Sequence, residues 1–405
     1  MSRAIILSLL FSTQIAFGQS NSDTLTYLKV DSISYSLYIN KNWKELTKVG
    51  RSSLNRGIDF PNLRLRLADA AIAQNHPSVA LKHLDKAYES DATQAYMLKQ
   101  YILSHRMLNN IDESRYFLSK TDSSTHKIFN QRKVQLLDQI FFDIGVIHPS
   151  DSVRNNLNLF RFGIQSRLNW RWTIYQSFQY YNQSSIVKVP PPLSHGPRRP
   201  IETSLPISQI DYYLRTRLQA SRNLSFGLAY HFLQSNDNGL LELGYGGYFN
   251  IRKTMPYVTL NLDAGFSNYT NTHQKQIGIS SKVFPFGNYS WYLLAGVDLL
   301  NNSDSGNVVI ENFGTGIKLQ KSIWTEFNIS FGDKPNFVEN NGEFIYNSID
   351  LTQTKFDAII YFELTHHITL SVDYRFEQKQ QLVRTRNTYV NYNQQGLIGG
   401  LIWKL

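Results

Sequence analysis

From residue 138 to residue 405 the apolar residues recur at every second position, with no helical interruption. A side-chain period of two belongs to strands, because successive Cβ atoms point to opposite faces of a sheet. In "ITLSVDYRFE", Ile368, Leu370, Val372, Tyr374 and Phe376 share one face, and Thr369, Ser371, Asp373, Arg375 and Glu377 share the other. "KFDAIIYFEL" sets Phe356, Ala358, Ile360, Phe362 and Leu364 against Asp357 and Glu363. "YVTLNLDAGFS" sets Val258, Leu260, Leu262, Ala264 and Phe266 against Thr259, Asn261 and Asp263. Counting from "IFFDIGVI", the spacing predicts about fourteen strands (12–16), most near ten residues long. Short connections such as "LNWR", "ASRN" and "QKSI" take turns with longer polar ones such as "NNSDSGN" and "GDKPNFVENNGEF". Such a meander closes on itself as an antiparallel barrel, which removes the open edges of the sheet.

Residues 24 to 128 follow a helical period instead, with an internal repeat. In "NLRLRLADAAIAQNHPSVALKHLDKAYESDATQ", Leu65, Ala68, Ala71 and Ile72 line one helix, Asn75-His76-Pro77 make a turn, and Ala80, Leu84 and Ala87 line a second. One fixed step along the chain carries Ala80 back to Leu46 and on to Ser114, and carries Leu84 on to Leu118. Small residues at that spacing let two helices approach closely, so the pattern resembles three tetratricopeptide-like units. "QRKVQLLDQIFFDI" is expected to close the stack and lead onward.

The first residues, "MSRAIILSLLFSTQIAFGQS", combine Arg3, an apolar run from Ala4 to Phe11, and the small residues Ala16 and Gly18. That is the pattern of an export signal cleaved near Gly18. The chain has no Cys, which excludes disulfides and thiolate chemistry. It carries a formal charge of +10, but no dense basic stretch interleaved with aromatics, so no nucleic-acid partner is expected. The division read from the sequence is 1–18 signal peptide, 19–137 periplasmic helical repeats and 138–405 barrel.

Alternation alone leaves two barrels open, one with its apolar face inward and one with that face toward lipid. Export, the absence of Cys and the gathering of Trp170, Trp172, Tyr180, Tyr181, Tyr257, Trp291, Trp324 and Trp403 near strand ends favour lipid. The segment "GLIGGLIWKL" adds a third sign. Its Gly400, Trp403 and Leu405 fall where outer-membrane barrels carry the signal read by the insertion machinery, although Leu replaces the usual Phe and Gly399 a polar residue. This terminal strand is expected to pair with the first one, around "IFFDIGVI".

Helical repeats followed at once by a barrel resemble the YaiO-type outer-membrane β-barrel proteins of Gram-negative bacteria. The resemblance covers the mature chain, is architectural, and implies no catalytic residues. It implies outer-membrane lipid and the insertion machinery as partners, and a periplasmic protein or anionic polysaccharide at the repeats. Polysaccharide-export porins, which also join such repeats to a barrel, imply export or assembly of a surface polymer. An outer-membrane enzyme acting on lipid or glycan, or a structural or adhesive barrel, is the alternative.

No H-E-x-x-H, Walker loop or G-x-S-x-G occurs, so the chain is read as a non-enzyme without cofactor or metal. His231 and Ser225 share a polar face, which does not suit a lipase, and His366 and His367 read as turn residues. "GYGG" (244–247) reads as a bend in a strand. In a membrane barrel the polar faces put Arg161, Arg167, Arg215, Arg217, Asp263, Glu326, Asp357, Glu363, Asp373, Arg375 and Glu377 into the lumen. They either tune a pore or pair into a network that plugs it. Arg161, Arg167, Arg215 and Arg217 are the candidates for an anionic ligand.

Overall fold

The computed structural model describes residues 26–91, 93–151, 153–189, 201–269, 272–304, 306–345, 350–383 and 388–405. The expected signal peptide lies outside them. Among the described residues seven helices come first: α1 (Tyr27–Ile39), α2 (Trp43–Asn55), α3 (Pro61–Ala73), α4 (Pro77–Tyr88), α5 (Ala95–Met107), α6 (Ile111–Leu118) and α7 (Ser123–Ile128). The starts of α1, α3 and α5 are evenly spaced, and those of α2, α4 and α6 follow at the same interval. The turn inside each pair holds one left-handed residue at an equivalent place: Lys41 (φ 53°), Asn75 (φ 60°) and Asn109 (φ 57°). Asn tolerates that conformation because its short amide bonds locally. Leu46, Ala80 and Ser114 are all buried at equivalent places. At the place of Leu84 and Leu118, α2 has Gly50, where a Cβ would stand 2.5 Å from a methyl of Leu67.

Residues expected to close the helical stack are strand instead. Gln135–Pro149 form β1, and the short helix α7 does the closing. β1 contains "IFFDIGVI", the expected first strand, and begins a few residues before it, and both of its edges find partners. The strands that follow are β2 (Leu157–Asn169), β3 (Trp172–Val189), β4 (Ile201–Gln219), β5 (Leu224–Asp237), β6 (Leu240–Thr254), β7 (Val258–Tyr269) and β8 (Thr272–Val283). Next come β9 (Trp291–Asn302), β10 (Gly306–Gln320), β11 (Ile323–Lys334), a small hairpin of β12 (Val338–Glu339) and β13 (Phe344–Ile345), then β14 (Leu351–Glu363), β15 (Ile368–Val383) and β16 (Thr388–Lys404).

All but β12 and β13 form one closed barrel of fourteen antiparallel strands in sequence order. The seam joins β1 to β16, with Ile140 opposite Trp403 and Phe142 opposite Leu401, as the terminal segment led one to expect. Barrel strands run from 12 to 19 residues, longer than the ten expected, with β3 and β4 the longest. Short connections cluster at the rim that carries the helices. One far-rim connection is also tight: Asn238 (φ 51°) and Gly239 (φ 92°) give the two left-handed residues of a two-residue hairpin turn.

Which face is inside is decided by exposure. Ile144 (59%), Leu228 (58%), Phe266 (62%) and Leu397 (60%) face outward, whereas Asp211 (1%) and Tyr213 (0%) face the lumen. The barrel therefore wears its apolar side out. Trp172, Tyr180 and Trp403 are exposed on that outer face. Three aromatics of the expected girdle are elsewhere. Trp170 is buried among helical residues, Tyr181 lines the lumen, and Trp324 stacks on the lumen-lining Tyr361. The "GYGG" stretch carries no bulge, for β6 pairs with both neighbours in continuous register. Gly244 and Gly246 are bare because the ring of Tyr269 lies on them; a Cβ on Gly246 would stand 2.6 Å from its hydroxyl.

Candidate functional site

The lumen is crossed by the connection between β11 and β14, which folds inward as the β12–β13 hairpin. Left-handed Asn336 (φ 51°), Asn341 (φ 58°) and Gly342 (φ 96°) make its turns. Its near leg is clipped to β8: the side chain of Gln276 donates to the Val338 carbonyl (3.0 Å) and accepts from the Val338 N–H (3.3 Å). Gln274 donates to the Asn336 carbonyl (2.9 Å), and Lys355 pairs with Glu339 (2.9 Å).

The hairpin tip is held by β2 to β5, which lie across the closed strand order from β11 and β14. Glu343 accepts from the Tyr175 hydroxyl (2.6 Å) and from Arg161 Nη1 (2.8 Å). Gln179 donates to the Glu343 carbonyl (3.0 Å) and Tyr213 to the Asn341 carbonyl (2.7 Å). His231 Nδ1 lies 2.7 Å from the Gly342 carbonyl, which can only accept, so that nitrogen carries a proton; Nε2 faces Asp211 at 3.4 Å. No hydrogen bond joins His231 to Ser225 among the described residues.

At the other mouth the helices seat on the barrel. Trp170, Phe284 and Tyr292 join the core of α3 to α6. The Ser78 N–H donates to the Gly287 carbonyl (3.0 Å), and Asn288 donates to the Asn75 carbonyl (3.1 Å). Buried Asp138 on β1 receives Arg115 of α6 and Arg167 of β2, both at 2.7 Å. The first turn of α6 enters the mouth: Asp112 accepts from Arg217 (3.3 Å), and Glu113 accepts from the Thr254 hydroxyl with Arg252 at 4.0 Å. Burial opposes ionisation of Asp112, but Arg217, Arg115 and Arg252 together hold its carboxyl below the usual range.

Between hairpin and helices lies a chamber of about 900 Å³. Of the residues read as lumen-lining, it is lined by Arg161, Arg215, Arg217, Asp263, Glu326, Asp357, Asp373 and Arg375. Arg161 pairs with Asp143, Arg375 with Asp357 (2.9 Å) and Asp373 (3.5 Å), and Tyr292 donates to Glu326. Arg167 lies outside the chamber lining, buried beside Asp138 under the helices. Glu363 is on the helical rim at the end of β14, and Glu377 is buried further along β15, accepting from Gln394 (2.6 Å). The four arginines taken together do not form one basic face. Three are matched by acids, and Arg215 lies over the Tyr175 ring at 5.4 Å. Sequence reading missed Asp143, Arg252, Lys282, Asp298, Lys355 and Glu343. The first five alternate like their neighbours and were there to be counted, whereas Glu343 sits in a segment that reads as an ordinary loop.

No family model matches the chain, and no curated relative matches it. Among solved structures it is similar to the Pseudomonas putida toluene transporter TodX, at 7% identity and a TM-score of 0.48, over 72% of this chain and 92% of that one. It is also similar to a bacterial polysaccharide outer membrane secretin (10%, TM-score 0.40, 67% and 99%). A third similar structure is Salmonella typhi OmpF in complex with daunomycin (9%, TM-score 0.34, 66% and 96%).

Proposed function

We propose that this chain is an outer-membrane barrel of the YaiO type that serves as a gated conduit, passing a polar polymer such as polysaccharide from its helical, periplasmic side. The observation that carries this reading is the charged chamber of about 900 Å³ held between two closures of different construction. An apolar exterior with a polar interior is stable in a bilayer and costly in water. Strands of 12 or more residues are long enough to cross the hydrocarbon at a tilt of about 45°. The inward hairpin is a small segment crossing the lumen, so its displacement opens the far side without disturbing the wall. The helical repeats then handle the polymer, or a protein that delivers it, before entry.

A second reading is favoured by the five lumenal residues that grip the hairpin tip: a sealed barrel that anchors the helices to the membrane. Single-channel recording of the refolded chain separates the two. A conduit shows rare steps in the intact chain and frequent large ones after deletion of residues 336–345. Silence from both proteins, with heat-modifiable migration proving the barrel folded, overturns the conduit.

A further inference from the structure

Four cations of the chamber gather at its helical end. Arg215 and Arg217 stand within four residues of the helical end of β4, Arg252 within two of the end of β6, and Lys282 beside the end of β8. Asp263, Asp298, Asp357 and Asp373 stand five to seven residues in from the helical ends of their strands. The helical mouth thus gathers four cations, with Glu326, three residues in from the helical end of β11, as the chamber acid at that level, and the four aspartates stand above it.

Two of these four cations have no carboxylate within ion-pair distance among the described residues. Arg215 rests on Tyr175, and Lys282 lies over the rings of Tyr292 (3.6 Å) and Tyr289 (4.7 Å). Among the described residues the other two are met by the first turn of α6. Asp112 takes Arg217 at 3.3 Å, and Glu113 approaches Arg252 at 4.0 Å. The match is loose. An Arg fork on a carboxylate ordinarily closes to about 2.8 Å, and the second oxygen of Glu113 is buried with no hydrogen-bond partner. The helix presenting both acids has only eight residues and belongs to a domain seated on the mouth, not to the wall.

We propose that Arg215, Arg217, Arg252 and Lys282 form a carboxylate-binding floor for a flexible polyanion entering from the helical side, with Asp112 and Glu113 as its displaceable internal occupant. The class of ligand follows from the occupant: two carboxylates on a narrow turn, which a polymer bearing a carboxylate on each unit reproduces with better geometry. Binding of the polyanion releases the turn of α6 from the mouth, so cargo and opening are coupled. This deepens the conduit reading and rests on it for the direction of entry.

The test measures binding of oligogalacturonate to the full chain in detergent by isothermal titration, with a neutral dextran oligomer as control. Variants are checked for heat-modifiable migration. Asp112→Asn with Glu113→Gln removes the competitor, so oligogalacturonate is expected to bind at least tenfold more tightly than to the natural chain. Adding Arg215→Gln, which touches neither acid, is expected to reverse that gain, and dextran is expected to bind neither protein. Equal affinity for the natural chain and the double variant overturns the proposal, as does a gain that survives Arg215→Gln or is shared by dextran. If the double variant misfolds, Asp112→Asn alone is used, with a threefold gain expected and the same reversal required. Conductance is recorded in parallel. Binding as expected without conductance keeps the floor and removes the conduit, whereas conductance without differential binding does the reverse.

Discussion

Glu343, at the tip of the inward hairpin, and Arg161, on the wall opposite its root, meet at 2.8 Å. Arg161 also holds Asp143, and its guanidinium lies 5.0 Å from the centre of the Phe344 ring, so one side chain gathers the wall and the hairpin together. Glu343→Gln keeps the size of the side chain and removes its charge. Arg161 keeps Asp143 as a partner, so the loss falls on the contact between wall and hairpin and weakens the closed position of the hairpin. The variant is expected to fold and to insert, while its single-channel open time rises at least tenfold. Unchanged gating, with normal heat-modifiable migration, counts against this pair as the latch.

Lys41 is the weak member of a repeated turn. It adopts the left-handed conformation (φ 53°) that Asn75 and Asn109 adopt at the equivalent place in the two later helix pairs. A Lys side chain gains nothing there, whereas Asn bonds its own backbone and Gly has no Cβ to clash. Lys41→Asn is expected to stabilise the helical region by about 0.5–1 kcal/mol. Hydrogen exchange of α1 and α2 should slow correspondingly, while that of α5 stays the same.

How much of this was legible follows from how local each signal is. The strand period, the helix period and the even spacing of the helix pairs are written in the order of residues along the chain, so the fourteen strands and the helix pairs could be counted. The hairpin could not be assigned in the same way. "GDKPNFVENNGEF" reads as a polar loop, and its hint is modest: Phe337, Val338 and Phe344 are apolar in a connection that solvent was expected to cover. What draws it inward lies on distant strands, in Tyr175, Gln179, Tyr213 and His231, whose inward direction is legible but whose partner is not. The seating of Asp112 against Arg217 is hidden for the same reason, since it joins residues 105 positions apart.

The helical region carries a built-in acid sensitivity. Burial pushes His83 down to about 4, helped by the neighbouring Arg64, and burial pushes His105 down to about 4 although Glu113 opposes it. In the unfolded chain both return to the ordinary value near 6.5. Between pH 6.5 and 4 the unfolded state therefore binds more protons, and stability falls as pH falls through that window. It is fully present above 6.5. Each residue contributes at most about 3 kcal/mol to the difference, at about 1.36 kcal/mol per pKa unit. Melting of the helices, followed at 222 nm, is expected to shift to lower temperature between pH 7 and pH 4.5. His105→Gln should flatten that dependence; an equal slope in the variant would show that other groups carry it.

The terminal strand separates two causes that its sequence runs together. Trp403 is 46% exposed and Leu405 44% exposed on the outer face, while Gly400 faces the lumen. A Cβ on Gly400 would stand 2.6 Å from an oxygen of Asp143 and press on the hydroxyl of Ser371, so this glycine is required by the packing of β1, β15 and β16. Gly400→Leu therefore disturbs closure from within. It is expected to reach the membrane fraction but to lose heat-modifiable migration, because the seam at Asp143 cannot close. Trp403→Asp with Leu405→Asp acts from without. The substitutions leave the lumen untouched and place two charges on the outer face, each costing a few kcal/mol at depth and less near the interface. In cells the double variant is expected to be missing from the outer membrane and degraded, while the same protein refolded in detergent micelles regains its barrel. Recovery in micelles with failure in cells assigns Trp403 and Leu405 to recognition and insertion. Failure in both assigns them to the stability of the barrel itself.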